Sequence, residues 1–137
     1  MAETSNIGKM AALLSEELFN YFGWKKCTFE DLNWKCENAE HEKSTHPADV
    51  VFYYNDPYTN TVTCIHTDLK SFSESTLSNL NLSEVLQSLS MQVECSEISE
   101  EWQTLYLEGA SDYKVHGLLF IYNHDNRPLA KVKTTSI

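Results

Sequence analysis

Lysine and arginine are scarce in this chain, 10 against 20 Asp and Glu, which leaves a formal net charge of −10. The shortage is uneven. Residues 71–113 hold Glu74, Glu84, Glu94, Glu97, Glu100, Glu101, Glu108 and Asp112 and not one Lys or Arg. Nucleic-acid backbones are held by cations that neutralise phosphate, so this balance argues against tight unaided binding to DNA or RNA. Long apolar runs are missing too. The longest span a few residues, against the roughly 20 a bilayer-crossing helix needs, and the opening MAETSNIGK lacks the charged-then-apolar layout of an export signal. A soluble, cytoplasmic protein without a membrane partner is expected. Its 137 residues, 42% hydrophobic and 12% aromatic, suit one compact domain with one modest core. Without an export signal, Cys27, Cys36, Cys64 and Cys95 are expected to be reduced thiols, mostly small and buried.

Residues 7–22 place Met10, Leu13, Leu14, Leu18, Tyr21 and Phe22 at helical spacing, with Glu16, Glu17 and Asn20 opposite. Gly23 supplies a stop, and residues 24–29 read as a first strand. Residues 30–46 are polar and read as a loop. Residues 46–54 and 61–70 are β-branched and aromatic, separated by the turn-forming residues 55–60, and form a hairpin. The hydroxyl-rich stretch 71–76 can contact phosphate or form a loop. Leu82, Val85, Leu86, Leu89 and Val93 then mark a helix over 83–95, with Ser83 in its first turn as a cap, and a short helical segment ends at Gly109. The apolar run 115–122 reads as a strand buried on both faces and central in its sheet. A polar C-terminal tail follows.

The hairpin carries the chemistry. Strand side chains alternate, so Asp68 and Lys70 share one face while Leu69 takes the other. Asp49, in the preceding strand, can face them across the pair. Two converging carboxylates suit a hard cation such as Mg²⁺, and a nearby lysine can help activate a polarised water. That is the outline of a phosphodiesterase site.

Asp49, 18 further residues, then Asp68-Leu69-Lys70 resembles the motif of the PD-(D/E)XK, or restriction-endonuclease-like, nuclease superfamily. Pro47-Ala48-Asp49 stands where the family has adjacent Pro-Asp. The resemblance covers residues 7–122 and implies an α/β fold with an α-β-β-β-α-β core, a mixed central sheet, and a last strand returning parallel through a helical crossover. By the same resemblance the chain is a metal-dependent endonuclease acting on DNA or RNA, with Asp49, Asp68 and the Leu69 carbonyl holding Mg²⁺ (or Mn²⁺) and Lys70 positioning the attacking water. Family members often add a glutamate from the first helix, where Glu16 and Glu17 are available, and a polar residue from the later helix, where Gln92 is. His46, three residues before Asp49, is expected at the mouth of the site. The phrases HPADVVFYYNDPY, TDLKSF and SLSMQVECSEISEEW also look like nuclease-fold subunits of bacterial antiphage defence systems, which implies a partner protein or homo-oligomer.

Two other readings stand beside this one. A nuclease-fold subunit that no longer cuts would serve as a binding or assembly module, consistent with the acidic balance. A small zinc-stabilised interaction domain would use Cys27, Cys36, His41 and His46, whose His41–His46 gap falls in a familiar zinc-ligand range although the Cys27–Cys36 gap does not. The plainer reading of those four is a strand thiol, a loop thiol and two polar histidines.

Overall fold

A computed structural model describes residues 2–72, 81–107, 109 and 112–123. Helix α1 (Ala2–Tyr21) leads to the short strand β1 (Lys25–Lys26). Strands β2 (Leu32–Lys35) and β3 (Thr45–Ala48) follow, with a 3-10 turn (Ala39–His41) between them. Then come β4 (Val50–Asn55), β5 (Val62–Phe72), helices α2 (Leu82–Ser96) and α3 (Glu100–Tyr106), and β6 (Tyr113–Asn123). The main sheet runs β1-β4-β5-β6, and β2-β3 form a separate antiparallel pair. β4 is antiparallel to β1 and β5, whereas β6 is parallel to β5. The expected order of elements is present, with the β2-β3 hairpin inserted. Ser73–Thr76, part of the hydroxyl-rich stretch, and the polar tail after Asn123 lie outside the described residues.

Alternation along the strands divides the core between the two faces of the sheet. Val50, Phe52 and Ile65 pack with Phe19 of α1, and Leu118 and Phe120 join them. Val51, Cys64 and Val115 pack on the other face with Trp34, Cys95, Trp102 and Tyr106 from the hairpin, α2 and α3. The sheet is therefore covered by α1 on one side and by α2, α3 and the hairpin on the other.

Helix α1 ends by a Schellman motif. The Trp24 N–H donates to the Phe19 carbonyl at 3.0 Å and that of Gly23 to Asn20 at 3.0 Å, while Gly23 takes φ +81°, where a side chain is disfavoured. The Trp24 and Phe19 rings stack 4.9 Å apart across it. The face α1 buries differs from the periodicity-based expectation. Among its described side chains Ser15 and Phe19 are the buried ones, while Met10, Leu13, Leu18, Tyr21 and Phe22 are exposed. Helical spacing shows which residues share a face; how much of that face the sheet covers depends on the width of the sheet. Ser15 tolerates burial because its hydroxyl donates to the Ala12 carbonyl at 2.8 Å.

Other departures have similarly local causes. The expected first strand shrinks to two residues, extended by one bond from the Cys27 N–H to the Val51 carbonyl at 2.9 Å. The expected loop over 30–46 holds β2, whose outward residues are polar and whose one fully buried side chain is Trp34. The single strand expected from His46 is broken at Asp49, where the chain leaves the β2-β3 pair and joins the main sheet. Asn81, not Ser83, caps α2, accepting from the Glu84 N–H at 3.3 Å.

β6 is not central: among the described residues it lies at one end of the sheet, paired with β5 alone. Nor is it buried on both faces as expected: of its apolar run only Val115 is buried, residues 118–122 are half-buried and His116 is exposed, with α2 against one face and α1 against the other. Gly117 permits the close approach of α2. A Cβ there would stand 3.0 Å from both Leu89 Cγ and Val93 Cγ2. Gly117→Val is therefore expected to force α2 outward and destabilise the protein by ~1–3 kcal/mol; an unchanged Tm on thermal denaturation would show that the helix yields without cost.

Candidate active site

The bend at Asp49 and the pleat of β5 turn three side chains into one cleft. Val50 pairs with Thr67 in the β4-β5 ladder, which sets Asp49 beside the Asp68 strand position. The Asp49 and Asp68 carboxyls lie within hydrogen-bonding reach of each other. Asp49 Oδ2 accepts from the Leu69 backbone N–H at 2.8 Å, and Lys70 Nζ lies 3.4 Å from Asp68 Oδ1. The cleft, about 500 Å³, is lined by these residues with Pro47, Glu84, Val85, Ser88 and Gln92. Leu69 turns its side chain to the α1-side core, as the alternation predicts.

Electrostatics mark Asp49 as the strained member. Burial pushes its carboxyl above the ordinary carboxylate range, the Leu69 N–H pulls it back, and neighbouring Asp68 pushes it up further. Two acids this close, with one ammonium beside them, are short of positive charge. Hard oxygen donors in that condition fit a divalent cation.

Gln92 is buried at the cleft floor and held from behind. Trp102 Nε1 can only donate, so His66 Nδ1 accepts from it at 3.2 Å. The other ring nitrogen then donates to Gln92 Oε1 at 2.8 Å. His66 is fully buried, and burial holds its ring below the ordinary histidine range, that is, neutral. This leaves the Gln92 amide nitrogen facing Ser88 Oγ, 3.5 Å away.

The remaining residues expected at the site lie elsewhere. His46 does not reach the mouth of the cleft: in β3 its ring points inward with Ala48, and Pro47 takes the outward position. Glu17 lines a different cleft with Glu16, Asn20, Trp24 and Lys25. Glu16 pairs with Lys26 at 3.1 Å. The zinc-capable quartet is not assembled as the sequence spacing framed it. Cys27 is buried apart from it, its thiol 3.8 Å from the Tyr106 carbonyl, and Cys95 stands with Cys36, His41 and His46 instead.

Two acids were not legible from sequence as neighbours of the site. Glu84 enters the cleft because the crossover helix α2 packs over the face that carries Asp68. Asp31 hydrogen-bonds through its backbone N–H to the Asp49 carbonyl at 2.9 Å. Burial raises its carboxyl as well, and Asp49 adds to the shift. No local motif marks either residue.

Comparison with known families gives one result: a family model described as GAPS4 protein PD-(D/E)XK nuclease domain matches residues 1–135. No match was found among curated proteins or among solved structures.

Proposed function

This chain belongs to the PD-(D/E)XK nuclease domains of the GAPS4 family, and from that membership we propose that its cleft hydrolyses phosphodiester bonds of DNA as part of bacterial antiphage defence. The observation that carries the reading is the meeting of the Asp49 and Asp68 carboxyls beside Lys70. These carboxylates, with the Leu69 carbonyl, would hold Mg²⁺ or Mn²⁺. Bound there, the cation would supply Lewis acidity toward the phosphoryl group and a more acidic water. The chain's own residues do the rest. The Leu69 N–H fixes one Asp49 oxygen and leaves the other for the cleft. Lys70 places an ammonium where it can orient the attacking water and steady charge developing on the phosphate. Gln92, held by His66 and Trp102, offers an amide to the same space.

The scissile strand would enter past Pro47 and Lys70, with the protein working in the cytoplasm. Among the described residues no helix is long and apolar enough to cross a membrane. A protein partner or a second copy is part of the proposal, supported by the exposed apolar side chains along α1.

Plasmid cleavage by the full chain, together with any protein it copurifies with, tests the reading. Nicking or linearisation with Mg²⁺, lost in chelator, is expected. If duplex and single-stranded DNA and RNA all survive with Mg²⁺ and Mn²⁺, the nuclease assignment fails for this chain. The binding or assembly role, which the cleft's extra acid Glu84 favours, then takes its place.

A further inference from the structure

A second set of ligand-bearing side chains gathers in the core between the hairpin and α2. Cys36 follows β2, His41 closes the 3-10 turn, His46 points inward from β3, and Cys95 lies in the last turn of α2. One ligand atom from each lies within 4.8 Å of every other. Cys36 Sγ stands 3.5 Å from Cys95 Sγ and 3.7 Å from His41 Nδ1. His41 Nδ1 is 3.1 Å from Cys95 Sγ and 3.4 Å from His46 Nε2. A tetrahedron with Zn–S of about 2.3 Å and Zn–N of about 2.0–2.1 Å has edges of roughly 3.3–3.8 Å, so shifts of about an ångström or less would complete it.

The surroundings are those a bound metal needs. His41 presents Nδ1 to the cluster while its Nε2 lies 3.2 Å from Glu94 Oε2, so a carboxylate can fix the tautomer that leaves Nδ1 free to ligate. The Asn38 side-chain amide reaches the other Glu94 oxygen at 3.4 Å. Asn38 also accepts from the Glu40 N–H at 2.9 Å, which shapes the turn that delivers His41. Without an ion, two imidazole nitrogens face each other and two sulfurs across a space largely shut from water, with at most one proton for the pair of nitrogens and only weak S–H donors. One soft-to-borderline cation satisfies all four.

We propose that Cys36, His41, His46 and Cys95 bind a zinc ion in a closed, structural site. Two thiolates and two neutral imidazoles make it electrically neutral, and with four protein ligands it keeps no open position for chemistry. It would tie the β2-β3 hairpin, which ends at Asp49, to the helix that carries Gln92.

Metal analysis of the purified full chain should find about one zinc per chain. Replacement by cobalt should give the intense visible absorption of a tetrahedral thiolate-ligated ion. Cys95→Ser should lose most of the zinc, whereas Cys27→Ser and Asp68→Ala should keep it, which separates this site from the carboxylate cleft. A zinc-selective chelator should lower the Tm by about 10 °C or more, in the parent and in Asp68→Ala alike. Should Cys95→Ser prove insoluble, the zinc content and cobalt spectrum of the parent decide. Parent protein that carries no zinc and takes up no cobalt, retention of zinc by Cys95→Ser, or a Cys36–Cys95 disulfide in the intact mass would overturn the proposal.

Discussion

Asp68→Ala should lower metal-dependent cleavage by a factor on the order of 10³ or more while leaving the protein folded. A cation clamp on a transferring phosphoryl group is worth several kcal/mol, and each ~1.4 kcal/mol is a factor of ten. The Asp68 side chain, although only 11% exposed, lines the cleft, so truncating it widens the cleft and leaves the apolar packing of the core in place. Lys70→Ala should slow cleavage by roughly 10²–10⁴ with metal affinity little changed, because its ammonium pairs with Asp68 and is not itself a ligand. Asp49→Asn separates function from stability. Its side-chain oxygen can still accept from the Leu69 N–H, while the repulsion between two partly buried acids disappears. The variant should lose cleavage, yet melt about 2–5 °C higher than the parent in chelator. Equal cleavage by Asp68→Ala and the parent would assign the activity to another site or a contaminant. A lower Tm for Asp49→Asn would mean that the carboxylate pair is not strained.

Weak unaided binding to nucleic acid is the second large effect. The isolated chain is expected to bind plain duplex DNA with a Kd in the range of about 10⁻⁶–10⁻⁴ M at ordinary salt. Among the described residues, cations near the cleft are few, and some are already paired. Lys26 is held by Glu30 at 2.8 Å and Glu16 at 3.1 Å, and Lys70 faces Asp68. Glu84, exposed at the start of α2, adds a negative charge on the cleft wall. Glu84→Lys in the Asp68→Ala background should tighten duplex binding by roughly 10-fold at low salt, with the gain fading as the Debye length shrinks to about 8 Å at physiological ionic strength. Fluorescence anisotropy with labelled duplex measures both. Submicromolar, salt-sensitive binding by the isolated parent would remove the need for a basic partner, and an unchanged Kd for Glu84→Lys would move the substrate path away from α2.

The carboxylate site was more legible in the sequence than the rest of the molecule because its geometry is local. Alternation alone puts Asp68 and Lys70 on one face and Leu69 on the other, and a short turn brings Asp49 opposite. The metal-ligand cluster was half legible. Cys36, His41 and His46 lie close together in the chain, but their fourth neighbour comes from a distant helix, and no spacing rule distinguishes Cys95 from Cys27. β2 was hidden because a four-residue strand with one fully buried side chain, Trp34, carries too little periodicity to stand out from a polar loop. Exposure along α1 was misread because periodicity contains no information about how wide a surface the neighbouring sheet offers.

The inward and outward alternation of β3 also limits how the gene can change length. His46 and Ala48 face the interior and Pro47 faces out, immediately before the bend at Asp49. Gaining or losing one residue between His46 and Val50 would exchange the two faces, sending the imidazole to solvent and the carboxylate away from Asp68. The turn between β4 and β5, where Tyr58 is 96% exposed, bears no such parity. In a library of single-residue insertions selected for stable protein, survivors should collect in residues 56–60 and be depleted between His46 and Val50.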